Sequence, residues 1–168
     1  DKYLCITGLA KDLIIRGGHN IDPAEIEEAL LGHEAVAFAR AIGQPDAHAG
    51  EVLSAFVELV GGASVTEQEL MEFCKDKVQE RAAQPKHMTI MPELPKTAVG
   101  KIFKPDLRKM AITRIFNESL EAAGVPARVA SVVDDKKRGL VAQVTLNGAS
   151  EADVGKTLNA FTFGWEAA

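Results

Sequence analysis

With 168 residues, 46% of them hydrophobic and 26% charged, the chain is long enough for one domain with a small appendage, and its composition is that of a water-soluble globular protein with a real core. A net charge of -5 and an isoelectric point near 5.4 argue against a general nucleic-acid binder, which carries a basic surplus or stripe, and leave room for an anionic ligand held by a few local cations. No apolar run approaches the roughly 20 residues of a membrane span, no charged-then-apolar leader opens the chain, and Cys5 and Cys74 sit in apolar-periodic segments as small hydrophobes of a reducing, cytoplasmic compartment.

In chain order, "DKYLCITG" is a strand-like run without an initiator methionine, and the chain reads as a piece of something longer. It is expected to pair with "DLIIRGG", in which Gly17-Gly18 supplies a turn where positive φ is cheap. Asp22, Pro23 and Glu25 then mark a helix start with a capping-box-like spacing, Ile26, Ala29 and Leu30 form its apolar stripe, and Gly32 ends it. "AVAFARAIG" and "EVLSAFVELV" are strands separated by the turn-rich "QPDAHAG". Thr66 and Glu69 open a second helix with Leu70, Phe73, Cys74 and Val78 on one face, and "HMTIM" is a short closing strand. The expected class is α+β: a β-hairpin plus a small three-stranded sheet covered by helices, spanning residues 1–104.

Residues 105–168 read as an α-β-β-α extension. Pro105 starts a helix with Leu107, Met110, Ala111, Ile115 and Leu120 on one side, stopped by Gly124 with Pro126 behind it. "ARVASVV" and "GLVAQVTL" flank a charged hairpin tip at 134–139, and Ser150 caps a last short helix. Helix, hairpin and helix are too little to bury a core alone, so the extension is expected to pack on the first block. "TFGWEAA" reads equally as a frayed tail or a docking element.

Little of the chemistry is legible residue by residue. His19, His33, His48 and His87 are scattered without metal-ligand spacing, so no metal site is expected. No nucleophile-elbow pattern is present. Gly100-Lys101 fails as the end of a P-loop, because Pro95 stands where its first glycine belongs and Ile102 replaces the Ser or Thr that follows the lysine. Taken singly, "GGHN" is a glycine turn and Lys101 a solvated loop charge.

Together, "TGLAKDLIIRGGHNIDPAEIEEAL" and, about eighty residues later, "ELPKTAVGKIFKPDLRK" closely resemble the C-terminal domain of the adenylate-forming superfamily, which includes acyl-CoA synthetases, nonribosomal-peptide adenylation domains and luciferases. "IIRGGHNIDPAEIE" and "PKTAVGKI" are most similar to the acyl-CoA synthetases, and the likeness covers residues 3 to 109. The stretch after Lys109 resembles an extension of some fatty-acyl-CoA-synthetase-like proteins.

The resemblance implies a fragment of an acid–thiol ligase. A carboxylic or fatty acid and ATP with Mg²⁺ give acyl-AMP and pyrophosphate, and coenzyme A then displaces AMP. It implies an N-terminal domain that binds ATP and the acid, about which the C-terminal domain swings, so the chain alone is expected to be inactive. By position, Lys101 matches the adenylation lysine with Gly100 as its loop support; Lys11, with Asp12 beside it, matches the hinge; and Gly17, Gly18, His19 and Asn20 match the loop that faces coenzyme A. One departure is Gly8-Leu9 in place of the family's Gly-Arg, which removes a side chain that reaches the nucleotide ribose. A carrier-protein-loading adenylation domain and a non-catalytic module of the same fold, self-associating through the extension, are the alternatives. Neither a nucleic-acid partner nor an integral membrane segment is expected.

Overall fold

The computed structural model describes residues 12–168. Leu9, Lys11 and "YLCITG" lie outside them, so the first strand pair expected from the sequence is not part of the description. A hairpin forms one step later: β1 (Ile14–Arg16) pairs antiparallel with β2 (His19–Ile21). His19 and Asn20 are thereby strand residues rather than loop.

The mixed α+β fold is built on β3 (Val36–Asp46) and β4 (Gly50–Leu59), which pair antiparallel along almost their whole length. On the other edge of β4, β5 (His87–Met91) runs parallel and β1 joins through Arg16 opposite Gly50, so hairpin and sheet make five strands in all. Strand alternation sends Leu53, Ala55 and Val57 to one face, where α1 (Ala24–Leu31) and α2 (Glu67–Lys77) bring Ile26, Leu30, Leu70 and Cys74. On the opposite face Ile42 and Phe56 meet Leu107 and Ala111 of α3 (Lys104–Ala122). Burial on both faces is why "EVLSAFVELV" lacks clean polar alternation.

Local signals act largely as expected. Thr66 and Glu69 form a reciprocal capping box, with Glu69 N–H donating to Thr66 Oγ1 at 3.2 Å and Thr66 N–H donating to Glu69 Oε2 at 2.7 Å. At α1 no side chain caps Pro23, although Ala24 N–H donates to Asp22 Oδ1 at 2.9 Å; Glu25 completes no box. On α3 the buried stripe is Leu107, Ala111, Ile112, Phe116 and Leu120, while Met110, expected inside, is 42% exposed.

The extension contains more than helix, hairpin and helix. β6 (Arg128–Asp135) and β7 (Gly139–Thr145) pair antiparallel, α4 (Glu151–Leu158) follows, and the terminal residues form β8 (Gly164–Ala167), parallel to β7. This third strand lets the extension bury its own core, in which Phe116, Leu120, Val144, Val154 and Leu158 pack with Phe161 and Trp165. α3 is shared: its first turns pack on the large sheet and its later turns on the small one. Phe116→Ala should therefore cost about 3 to 5 kcal/mol, measured as a lowered urea midpoint by the fluorescence of Trp165, the single tryptophan.

Candidate functional site

Gly17 and Gly18 form the two-residue turn between β1 and β2 with φ of 54° and 83°, a backbone that side-chain-bearing residues adopt only at a cost. Space is not the constraint, since a Cβ at either glycine would meet nothing within 4 Å. The turn is pinned to the start of β4: Gly17 N–H donates to the Ala49 carbonyl at 2.8 Å, and Ile15 N–H donates to Glu51 Oε2 at 3.0 Å. Asp46 closes the β3–β4 turn by accepting from Ala49 N–H at 2.7 Å and His48 N–H at 2.9 Å. The Ala49 amide first, then the His48 amide and the positive charges of His48 and Arg16, hold its carboxyl below the ordinary value despite partial burial.

Beside this turn lies a pocket of about 480 Å³ with Arg16, His19, Arg81 and Lys86 around Gly17. Arg16 is oriented by donating from Nη1 to the Ala82 carbonyl at 2.6 Å. His19 and Asn20 are exposed at the turn, so their side chains are open to a ligand. In an acidic chain, Arg16, Arg81 and Lys86 with His19 around one pocket make a local concentration of basic groups, which is electrostatically suited to an anion. Arg81 and Lys86 carry no motif; they lie between α2 and β5, where no periodic pattern or spacing singles them out.

Lys101 sits on a second, independent loop. Gly100 N–H donates to the Thr97 carbonyl at 2.9 Å and Thr97 N–H to the Lys101 carbonyl at 2.7 Å, with Gly100 at φ 77°. This is a three-residue hairpin loop, a turn followed by a left-handed glycine. Its base is set in the core through Leu94 and Ile102, with Lys96 bridged to Ile102. Its tip is in water: Val99 is 80% exposed, Lys101 is exposed, and among the described residues the Lys101 ammonium has no hydrogen-bond or ion-pair partner. Lys96, in contrast, is held between Glu58 and Glu93 at 3.4 and 3.3 Å. Partial burial opposes its charge, and the Glu93 and Glu58 carboxylates more than offset that and raise its pKa.

Asp12 is tied to the first turns of α3, lying 4.0 Å from Lys104 Nζ and 3.9 Å from Arg108 Nη2. Lys104 also pairs with Glu27 of α1 at 2.9 Å, whose carboxylate accepts from Ala41 N–H at 3.0 Å.

The two loops are not brought together. Gly17 abuts Ala49 at the start of β4, whereas Glu58, near its end, holds Leu94 and Lys96 at the base of the Lys101 hairpin. Gly50 and Glu58 are eight residues apart on one extended strand, about 26 Å at roughly 3.3 Å per residue. The basic pocket beside Gly17 and the exposed Lys101 hairpin therefore stand at opposite ends of β4.

Residues 25–101 match the family described as AMP-binding enzyme C-terminal domain. The chain is 42% identical over 152 residues to marinolic acid–CoA ligase of Pseudoalteromonas sp. (strain SANK 73390), covering 90% of this chain and 23% of that protein. Among solved structures it is similar to a Mycobacterium tuberculosis fatty acyl CoA synthetase, with 38% identity and a TM-score of 0.53 over 58% of this chain and 19% of that one. It is also similar to the anthranilate CoA ligase AuaEII in complex with anthranoyl-AMP, with 30% identity and a TM-score of 0.59 over 65% and 22%. The chain thus spans about a fifth of the length of these relatives.

Asp46 supplies a pH test of the Gly17 platform. A carboxyl whose folded pKa lies below its unfolded value stabilises the fold above the unfolded value and loses that contribution as pH falls through the folded one. Asp46→Asn should flatten the loss of stability below about pH 4, read from urea midpoints across an acid series; an unchanged profile would show that the Asp46 turn contributes nothing.

Proposed function

Because residues 25–101 belong to the AMP-binding enzyme C-terminal domain family, we propose that the chain is the mobile C-terminal part of an AMP-forming acyl-CoA synthetase, serving both half-reactions from opposite ends of one sheet. The observation that carries this reading is the separation of the exposed Lys101 ammonium from the Gly17-Gly18 turn and its basic pocket by the length of β4. Two sites so placed cannot both face one reaction centre without the domain turning. Lys11, with Asp12 beside it, is the proposed hinge, where a few dihedrals absorb the rotation.

In the first half-reaction a carboxylate oxygen attacks the α-phosphorus of ATP and pyrophosphate leaves, with Mg²⁺ and both substrates held by the N-terminal domain. Lys101 offsets the negative charge that gathers on the phosphoryl oxygens, and the Gly100 turn aims it outward for that purpose. In the second, the thiol of coenzyme A attacks the acyl carbonyl, AMP leaves and the thiol proton is released. The Gly17-Gly18 turn with His19 and Asn20 borders the pantetheine path, and Arg16, Arg81 and Lys86 receive phosphates. Coenzyme A carries a diphosphate and a 3′-phosphate, against the single phosphodiester of a carrier-bound pantetheine, and a pocket with two arginines and a lysine suits the former.

Residues 105–168 are proposed as an appended unit that α3 fastens to residues 1–104, and the reducing cytoplasm as the location that keeps both coenzyme A and Cys74 as thiols. Burial pushes the Cys74 thiol up to about 11. Among the described residues no helix is long and apolar enough to cross a membrane.

In the enzyme with its ATP- and acid-binding part present, Lys101→Ala should lower acid-dependent pyrophosphate release by about 100-fold or more while leaving thioester formation from supplied acyl-adenylate near wild type. Arg81→Ala with Lys86→Ala should do the reverse, raising the KM for coenzyme A and weakening its salt dependence. Normal pyrophosphate release by the Lys101 variant would overturn the assignment.

A further inference from the structure

Glu58 is the penultimate residue of β4, where the buried run gives way to half-buried positions. Its side chain is only 16% exposed, and Lys96 is 26% exposed. A single oxygen, Glu58 Oε2, accepts from Leu94 N–H at 2.9 Å and from Lys96 Nζ at 3.4 Å. The same ammonium lies 3.3 Å from Glu93 Oε1 and 5.2 Å from the centre of the Phe38 ring on β3. Contacts from two strands and the preceding loop thus converge on a lysine five residues before Lys101. The backbone joins the two lysines rigidly: Lys96 bridges Ile102, Thr97 N–H donates to the Lys101 carbonyl at 2.7 Å and Phe103 N–H to the Pro95 carbonyl at 2.7 Å.

Both lysines belong to one hairpin, yet their electrostatic situations are opposite. Lys96 is occupied by two carboxylates and a ring face; the Lys101 ammonium has no partner among the described residues. A loop that must present one free cation to a polyanion has to keep its own carboxylates from capturing that cation and from repelling the ligand. Glu58 and Glu93 are such carboxylates, and Lys96 pairs with both, offsetting part of their charge.

We propose that Lys96, clamped by Glu58, Glu93 and Phe38, is a positioning residue for adenylation: it fixes the hairpin that carries Lys101 and masks the two carboxylates beside the polyphosphate path, without itself touching the reacting atoms. This rests on the reading of Lys101 given above, and the two are separable by experiment.

In the complete enzyme, Lys96→Met should lower the rate of acid-dependent pyrophosphate release by about ten-fold and raise the KM for ATP, with thioester formation from supplied acyl-adenylate unchanged. Lys96→Arg, which can still pair with both carboxylates, should restore most of the rate. Glu58→Gln keeps an acceptor for Leu94 N–H and removes the charge, so adding it to Lys96→Met should recover part of the lost rate, a rescue that a purely structural role for Lys96 would not produce. Should Lys101→Ala abolish pyrophosphate release while Lys96→Met matches wild type, the inference fails and the reading of Lys101 stands. Equal loss of both half-reactions in Lys96→Met, with a lowered melting temperature and no rescue by Glu58→Gln, also overturns it, because the lysine would then hold the fold alone. Undiminished pyrophosphate release in Lys101→Ala would remove the reading on which the inference depends.

Discussion

The hydrogen bonding of β4 is the constraint on which the rest of the structure depends. It pairs with β3 along one edge and with β5 and β1 along the other, and from Val52 to Val57 every side chain is buried. A strand covered on both faces and paired on both edges cannot slip by one residue without exchanging the faces of all its side chains. That rigidity reaches both candidate loops, because Gly17 is pinned to the backbone just before Gly50 and the Lys101 hairpin is anchored through Glu58. The distance between them is therefore set by an element that has no freedom to change it.

α3 is the second shared element, and its contact with the large sheet is not wholly apolar. Arg114 Nη2 donates to the buried Gln44 Oε1 at 2.7 Å, and Ser54 Oγ, fully buried on the same face, has no hydrogen-bond partner among the described residues. His87 stands on β5 opposite Ser54. Burial, and then the neighbouring Arg114 guanidinium, hold its pKa below the ordinary value against the pull of Glu67 and Glu118. These groups form a polar strip inside an otherwise apolar contact. Beyond the strip, Phe116 and Leu120 leave the large sheet and enter the extension's own core.

Charge is distributed by use more than by total. The chain is acidic overall, yet Arg16, His19, Arg81 and Lys86 surround one pocket, and the Lys101 hairpin presents one cation while its carboxylates are paired with Lys96. A third group of charges, Asp12 with Lys104 and Arg108, and Lys104 with Glu27, links the residue beside the proposed hinge to α3 and α1. The same helix that fastens the extension thus also holds the start of the described chain.

Local chemistry determined much of this protein from the sequence by itself. The Thr66 and Ser150 caps, the Gly124 stop, the long strand pair and the glycine turns are each properties of a few adjacent residues, and the order of two short motifs was enough to point to the family. Other features were decided only by tertiary structure, because they join residues distant in the chain. The pairing of β8 with β7 depends on a core that Phe116, Val144 and Leu158 complete together, and Met110 lost its expected place to Ile112 and Phe116 once α3 had two sheets to serve. Arg81 and Lys86 became a site only beside Arg16, and Glu58 met Lys96 only because β4 ends where the hairpin begins. Periodicity reports which side of an element is apolar; which other element comes to cover it is a property of the packed whole.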